Sequence, residues 1–273
     1  MRRLSEISAP AIAGVVKERS ARSAIAEIKN CVLSGATMID LHLSCLEDTS
    51  VDALRKIISS TKVPVLALNY DSSYDGKKLG CSEEERISMF MRALEAGAAG
   101  IDIQGYTYHL PSKSGFCGED KYSFTKGAPK EVVTDETVIS MQCELIERVH
   151  SMGAEVLLSC HPGIFMNCEQ VVDLAHFLEK RNPDIIKIVT KAENEDDLAE
   201  CIRTMTVLKK EIKTPIAYHA SGKAALLSRI VNPLLGSQIA FCVDRYSESS
   251  VLEQISLSAA SMVVENVRKI TGD

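Results

Sequence analysis

The chain has 273 residues, of which 45% are hydrophobic and 25% are charged, as is usual for a soluble globular protein. This composition excludes a disordered chain, a collagen-like repeat and a small disulfide scaffold. The net charge of −6 has the wrong sign for a general nucleic-acid binder, and no apolar run approaches the ~18–20 residues that span a bilayer. We therefore expect no nucleic-acid partner and no membrane insertion, and the amino-terminal residues show no secretory signal.

Short β-branched runs alternate with longer amphipathic stretches along the chain. The pattern predicts eight strands, at 11–16, 37–43, 64–70, 99–104, 155–161, 185–190, 215–220 and 238–243. It also predicts eight helices, at 21–34, 50–60, 82–97, 135–152, 168–180, 193–211, 222–231 and 250–270.

This strand–helix alternation predicts parallel strands joined by crossover helices. Eight such units in about 250 residues fit a closed (β/α)8 TIM barrel better than an open sheet. An open sheet would usually carry a glycine-rich phosphate turn after its first strand, where this chain instead reads KERSARS. Because no linker or low-complexity segment interrupts the chain, we predict a single α/β barrel domain over residues 1–273.

The nine cysteines form an odd, scattered set without a CxxC pair, and Cys31, Cys143 and Cys201 lie inside apolar segments. Buried thiols of this kind indicate a reducing, cytoplasmic location. Their spacing does not favour a zinc cluster.

One interval, residues 105–134, breaks the alternation, with four glycines, two prolines and no clear period. It follows the fourth strand, so in a barrel this inserted loop would lie over the carboxyl-terminal rim, where barrel active sites lie. Its three tyrosines and two phenylalanines favour an ordered lid over a bound ligand. The alternative is an insertion without a functional role.

The side chains at the carboxyl ends of barrel strands point into the active site. Lys187 is unusual among them because it lies inside an apolar strand, IIKIVT. Burying an ammonium group is costly, so a lysine there tends to lose its proton and become a nucleophile that forms an imine with a ketone or aldehyde. The alternative is a structural ion pair inside the barrel, for which Asp40 is a candidate partner.

His161 ends the strand that precedes Lys187 and is therefore expected beside it. Histidine titrates near neutral pH, so it can transfer the proton of a carbon next to an imine. Lys191 is the rival amine, but it begins the polar stretch KAENEDD, where water keeps a lysine charged.

Five stretches share a recognisable pattern: SCH ends the fifth strand, IIKIV forms the sixth, PIAYHASGKAALLSR crosses the seventh, and GSQIAFCV precedes SSVLEQIS. Together they resemble the type I 3-dehydroquinate dehydratase family, and the resemblance extends over all eight strands. It implies a (β/α)8 barrel with Lys187 as the imine-forming residue and His161 as the catalytic histidine. It also implies that the substrate is held by Arg229, which follows Ser228 and binds the carboxylate, and by Ser250 and Gln254 at the rim.

The second and third strands depart from the family pattern. Asp-Leu-His at 40–42 stands where the family has Glu-Leu-Arg, Asn69 replaces an arginine, and Ser73 replaces a glutamate. In the family these positions contact the substrate's hydroxyl groups and steady the catalytic histidine. We therefore expect Asp40, His42 and Asn69 to bind substrate here, and His42 and His219 are candidates to fill the space of the missing arginines.

The resemblance implies a lyase that dehydrates the cyclic oxo-carboxylate 3-dehydroquinate to 3-dehydroshikimate, a step of the shikimate pathway towards aromatic amino acids. No metal or organic cofactor is expected, because the iminium ion itself accepts the electrons. Two alternatives stay open: a related lysine-imine aldolase or dehydratase that acts on another oxo-acid, and a non-catalytic carboxylate-binding barrel. A homodimer is also left open.

Overall fold

The computed structural model describes residues 3–70, 82–108, 131, 133–246 and 253–272, in which strands and helices alternate in the predicted order. The strands are β1 (Ala11–Val16), β2 (Met38–His42), β3 (Val65–Leu68), β4 (Gly100–Gln104), β5 (Glu155–Cys160), β6 (Ile185–Lys191), β7 (Ile216–Ser221), β8 (Ile239–Val243) and β9 (Ile255–Ser256). The helices are α1 (Ala21–Leu33), α2 (Val51–Ile58), α3 (Glu83–Glu95), α4 (Glu136–Ser151), α5 (Cys168–Glu179), α6 (Glu195–Glu211), α7 (Ser228–Leu235) and α8 (Leu257–Thr271), with a 3-10 turn at Leu43–Cys45.

The first eight strands are buried along their whole length, apart from the last residues of β6 and β7. Parallel strands covered on both faces bury nearly every side chain, which is why these segments are mostly apolar in the sequence. A polar residue inside such a strand has to find a partner within the protein.

The chain divides into two compact units, and the first comprises residues 1–101 and 239–273. Its strands pair in parallel in the order β3, β2, β1, β8 and β9. Helix α1 begins with a reciprocal capping box between Ser20 and Ser23, which satisfies the amide groups of its first turn.

The second unit comprises residues 102–238, in which β5, β6 and β7 are parallel neighbours. In their register Lys187 lies opposite Ser159 on one side and Ala217 on the other. Because successive side chains of a strand alternate between the two faces of the sheet, residues two apart share a face. His161 and His219 therefore continue, towards the carboxyl ends of their strands, the face on which Ser159, Lys187 and Ala217 lie.

Two of the predicted helices were wrong at their amino-terminal ends. The helix expected at 222–231 begins only at Ser228, because Gly222 has a left-handed φ of +107° and the amide of Ala224 donates to the carbonyl of Ala192 at 3.1 Å. A β-carbon at Gly222 would lie 2.6 Å from that carbonyl oxygen, so the turn requires glycine there. The last helix, expected from 250, begins at Leu257 after the short strand β9, which was not predicted.

Several sequence predictions lie outside the described residues or remain untested. Most of the 105–134 loop, with the predicted lid and its aromatic residues beyond Tyr108, is outside them, as are Ser73 and Ser250. The single-domain prediction remains a prediction. Five cysteines of the described part carry free thiols, namely Cys31, Cys143, Cys160, Cys168 and Cys201. No helix in the described part is long and apolar enough to span a bilayer.

Candidate active site

Lys187 is buried in the middle of β6, with only 6% of its surface exposed. Its Nζ lies 3.7 Å from Oδ2 of Asp102, a fully buried carboxylate in β4. The carboxylate partner is therefore Asp102 rather than the predicted Asp40, because Asp102 lies beside Ser159, directly across the register from Lys187. The rival amine, Lys191, is 45% exposed in its side chain and forms an ion pair with Glu193 at 2.8 Å.

The Asp102 carboxylate is held in one orientation by its neighbours. Ser159 donates its hydroxyl to Oδ1 at 2.6 Å, and the Gln104 amide donates to the same oxygen at 3.3 Å and to the Asp102 carbonyl at 2.7 Å. These bonds direct Oδ2 towards Lys187. A fixed negative charge beside the amine suits any reaction that places a positive charge on that nitrogen.

His161 follows β5 directly and is 8% exposed. Burial, and then the positive charges of Lys187 and Arg229, lower the pKa of His161 well below 6.5. The imidazole is therefore uncharged at neutral pH and able to accept a proton.

A second histidine and an arginine lie in the same cluster. Burial lowers the pKa of His219 well below 6.5, and the charges of Arg229, Lys187 and His161 add to the effect. Arg229 is fixed by the preceding Ser228, whose hydroxyl accepts from the amide of Ala220 at 3.0 Å and donates to the carbonyl of Ala225 at 2.6 Å. The Ser-Arg pair thus joins the end of β7 to the start of α7 and brings the guanidinium to the two imidazoles.

The two buried imidazoles are expected to make the folded protein sensitive to mild acid. Their folded-state pKa values lie below the unfolded value of about 6.5, so below that pH the unfolded chain binds more protons than the folded one. The free energy of unfolding should therefore fall as the pH drops from 7.5 to 5.5. The slope below pH 6.5 should approach about 1.4 kcal/mol per pH unit for each histidine.

Urea unfolding at pH 7.5, 6.5 and 5.5 measures this effect. His219→Gln should reduce the pH dependence by about half, since it removes one of the two groups. The matched control is His176→Gln on α5, whose side chain is 47% exposed, and it should leave the slope unchanged. A wild-type free energy that is flat over this range would contradict the expectation.

The predicted substrate contacts from β2 and β3 belong to the first unit. Nε2 of His42 lies 3.5 Å from Oδ2 of Asp40, and the His42 ring meets Tyr70 edge-on, with the ring centres 6.3 Å apart. Asn69 is fully buried, and its amide nitrogen donates to the carbonyl of Arg86 at 3.4 Å. Part of the Asn69 side chain is thus used to attach helix α3.

Gln254 also belongs to the first unit, where the Tyr246 hydroxyl donates to its carbonyl at 2.7 Å. Among the described residues of this unit, three buried side-chain oxygens lack a hydrogen-bond partner: Oδ1 of Asp40, Oδ1 of Asn69 and Oε1 of Gln254. All three belong to predicted substrate contacts. Buried acceptors of this kind suit ligands that carry hydroxyl groups.

Three functional candidates were missed by the sequence analysis. Asp102 lies between two isoleucines of β4, which is the same signal that drew attention to Lys187. Ser159 orients Asp102, yet a serine in a strand has no distinctive pattern. Glu131, which accepts the backbone N–H of His161 at 3.2 Å, lies in the aperiodic 105–134 loop, where no sequence signal identified it.

Comparison with known proteins shows which family contains a chain with these residues. The sequence profile of the type I 3-dehydroquinase family matches residues 130–270, slightly more than half of the chain, and this range contains His161, Lys187 and Arg229. The chain belongs to the type I 3-dehydroquinase family. The predicted family is thereby confirmed, and so is the predicted class of enzyme, a hydro-lyase.

Individual relatives are distant. A 3-dehydroquinate dehydratase of Alkaliphilus oremlandii is 26% identical over 134 residues, which is 46% of this chain and only 50% of that protein. One from Desulfotalea psychrophila is 24% identical over 226 residues, 82% of this chain and 84% of the relative. The chain thus spans about half of the first relative and most of the second.

A structural likeness to a solved 3-dehydroquinate dehydratase extends over nearly the whole chain. The crystal structure of the 3-dehydroquinate dehydratase from Geobacillus kaustophilus superposes with a TM-score of 0.78 at 13% identity, covering 98% of this chain and 96% of that one. The predicted α/β fold of the (β/α)8 type is thereby confirmed.

Proposed function

We propose that this protein dehydrates 3-dehydroquinate to 3-dehydroshikimate through an imine on Lys187. The observation that carries the proposal is the buried cluster in the second unit. Lys187 is 6% exposed, has the Asp102 carboxylate 3.7 Å away, and shares its face of the sheet with His161, whose imidazole is uncharged. A buried amine, a nearby base and a cationic arginine are the groups that imine-based elimination from an oxo-carboxylate needs.

The first step is attack of the Lys187 amine on the substrate ketone, after the amine has given up its proton. The carbinolamine that forms takes up one proton, in net terms the one that Lys187 gave up, loses water and becomes a cationic imine on Nζ. The Asp102 carboxylate lies close to this nitrogen and stabilises the positive charge, because Ser159 and Gln104 already fix its orientation.

The second step is proton transfer by His161. The imidazole removes a proton from the carbon next to the imine, and the imine takes up the electron pair. The β-hydroxyl then leaves as water, protonated by the imidazolium of His161. Hydrolysis of the product imine consumes one water and frees Lys187.

The substrate carboxylate is assigned to Arg229. Its guanidinium presents a planar set of donors suited to two parallel hydrogen bonds with a carboxylate. On the substrate's hydroxyl side, Asp40, His42, Asn69, Ser250 and Gln254 remain the predicted contacts. The partnerless oxygens of Asp40, Asn69 and Gln254 support that role, since each can accept a hydrogen bond from a hydroxyl group.

A second candidate function is a lysine-imine lyase that acts on a different oxo-acid. The replacements in β2 and β3 favour it, because an aspartate, a histidine and an asparagine stand where the family has a glutamate and two arginines. The imine chemistry would be the same in both cases, so the two functions differ only in the substrate.

Two measurements on the purified protein test the proposal. Turnover of 3-dehydroquinate should give a rising ultraviolet absorbance from the conjugated product. Borohydride reduction in the presence of 3-dehydroquinate should add a stable mass to the protein. Trapping with another oxo-acid, and none with 3-dehydroquinate, would select the second function. Failure to trap any of a panel of oxo-acids would contradict both and favour a non-catalytic barrel.

The cellular context remains a prediction. The shikimate pathway follows from the proposed reaction, and the free thiols of Cys31, Cys143, Cys160, Cys168 and Cys201 support the expected cytoplasmic location. The homodimer, which the sequence leaves open, stays open.

A further inference from the structure

Glu131 places a buried carboxylate beside the catalytic histidine. The residue is 1% exposed, and its Oε2 accepts the backbone N–H of His161 at 3.2 Å. The same oxygen lies 4.0 Å from Nδ1 of the His161 ring. The thiol of Cys160 donates to the Glu131 carbonyl at 2.8 Å, so both backbone and side chain of Glu131 are attached to the end of β5.

This position is fixed by a pair of buried side chains, Gln142 and Arg181. The Gln142 amide donates to the carbonyls of Gly105 and Thr107, each at 2.8 Å, where the chain leaves β4. Its oxygen accepts from Nε of Arg181 at 2.8 Å, and Nη2 of Arg181 donates to the carbonyl of Val133 at 2.9 Å. One amide and one guanidinium therefore connect the residues that precede the long loop with those that follow Glu131.

The backbones at the two ends of the loop also approach closely. The amide of Gly105 donates to the carbonyl of Ser159 at 2.7 Å, and a β-carbon at Gly105 would lie 2.5 Å from the Glu131 carbonyl oxygen. Only glycine leaves room for this approach. Glu131 is thus held from several sides beside His161.

The negative charge of Glu131 can stabilise the protonated form of His161 that the proposed reaction requires. His161 faces the positive charges of Lys187 and Arg229, and together with burial these charges disfavour its protonated form. The reaction nevertheless requires His161 to carry a proton after it has removed one from the substrate. A carboxylate 4.0 Å from Nδ1 favours a proton on that nitrogen, which leaves Nε2 as the base.

We propose that Glu131 is a positioning residue for His161, which keeps the ring proton on Nδ1 and stabilises the imidazolium formed during turnover. The proposal rests on the proposed function. The resemblance implies that in the family a glutamate after the third strand steadies the histidine, and this chain has Ser73 at that position. Here the carboxylate comes from a different part of the chain, the end of the loop that follows β4.

Glu131→Gln tests the role of the charge, since glutamine keeps an oxygen for the His161 amide. We expect kcat to fall by about 10- to 100-fold while KM changes by less than about threefold. The acid limb of the pH–rate profile should move to lower pH, because the carboxylate that favours the protonated ring is gone. Glu131→Asp keeps the charge and should recover part of the kcat and the wild-type acid limb.

The matched control is Glu155→Gln, a glutamate that is 2% exposed at the opposite end of β5 from His161. This variant removes a buried carboxylate from β5, the strand that His161 follows. It should leave the acid limb of the pH–rate profile at its wild-type position. A loss of kcat in Glu131→Gln with an unmoved acid limb would overturn the proposal, because a purely structural residue gives that result.

Nuclear magnetic resonance of protein labelled with nitrogen-15 histidine gives a test that does not depend on turnover. Wild-type His161 should carry its proton on Nδ1, and Glu131→Gln should shift it towards a mixture of the two tautomers. A wild-type ring protonated on Nε2 would overturn the proposal even if Glu131→Gln does not fold. Absence of 3-dehydroquinate turnover with the Nδ1 tautomer present would instead reject the proposed substrate and keep the role of Glu131.

Discussion

Lys187→Met should abolish adduct formation on borohydride reduction with 3-dehydroquinate. Methionine fills the space of the lysine stem but provides no amine, so no imine can form. Turnover should fall by about 10⁴-fold or more, as when a nucleophile is removed from other enzymes with covalent intermediates. Intact mass spectrometry measures the adduct, and the absorbance of the conjugated product measures turnover.

The controls for this variant follow from the ion pair. Lys187→Met leaves Asp102 buried without its cation, which costs about 3–5 kcal/mol of stability in other buried pairs. The double variant Lys187→Met with Asp102→Asn should regain part of that stability and still form no adduct. Lys191→Met removes the exposed amine at the end of the same strand. This variant should form the borohydride-reduced adduct to the same extent as the wild type. If Lys187→Met still forms an adduct, and the adduct disappears when Lys191 is also replaced, then Lys187 is not the imine-forming residue.

His161→Ala should lower kcat by about 10²–10⁴-fold, the usual share of general acid–base catalysis. Imine formation needs the Lys187 amine, whereas elimination needs the base. The variant should therefore still be trapped by borohydride, and the trapped species should be the substrate adduct because the step after imine formation is slow. Stopped-flow absorbance and intact mass together separate the two steps.

His176→Ala is the matched control for His161→Ala, since this histidine lies on the outer helix α5 with a half-exposed side chain. Its turnover should equal that of the wild type. A His161→Ala variant with near-normal kcat would remove His161 from the mechanism and make His219, the other buried imidazole of the cluster, the next candidate base.

Much of the fold could be predicted because its signals are local. Parallel strands buried on both faces are continuously apolar, and amphipathic helices repeat their apolar residues every three or four positions. The errors concern places where a single long-range contact determines where a helix begins, such as the late start of α7. There the left-handed Gly222 and the carbonyl of Ala192, thirty residues upstream, fix a turn where local propensity favours a helix.

The catalytic candidates were predictable to the extent that their chemistry conflicts with their surroundings. A lysine inside an apolar strand is such a conflict, and the Ser228-Arg229 pair after β7 belongs to a pattern of residues close together in sequence. The amino-acid sequence by itself therefore determined the order of strands and helices, Lys187 as the imine candidate, and the resemblance that named His161 and Arg229.

Only the tertiary structure decided which groups act on these residues. Asp102 and Ser159 are 57 positions apart, and Glu131 and His161 are 30 apart, yet each pair is joined by a hydrogen bond. The spacing of residues along a sequence carries no information about such pairs, because they form only when strand register and loop ends bring distant side chains together. That is why Asp102 replaced Asp40 as the partner of Lys187, and why Glu131 emerged from a loop without any sequence signal.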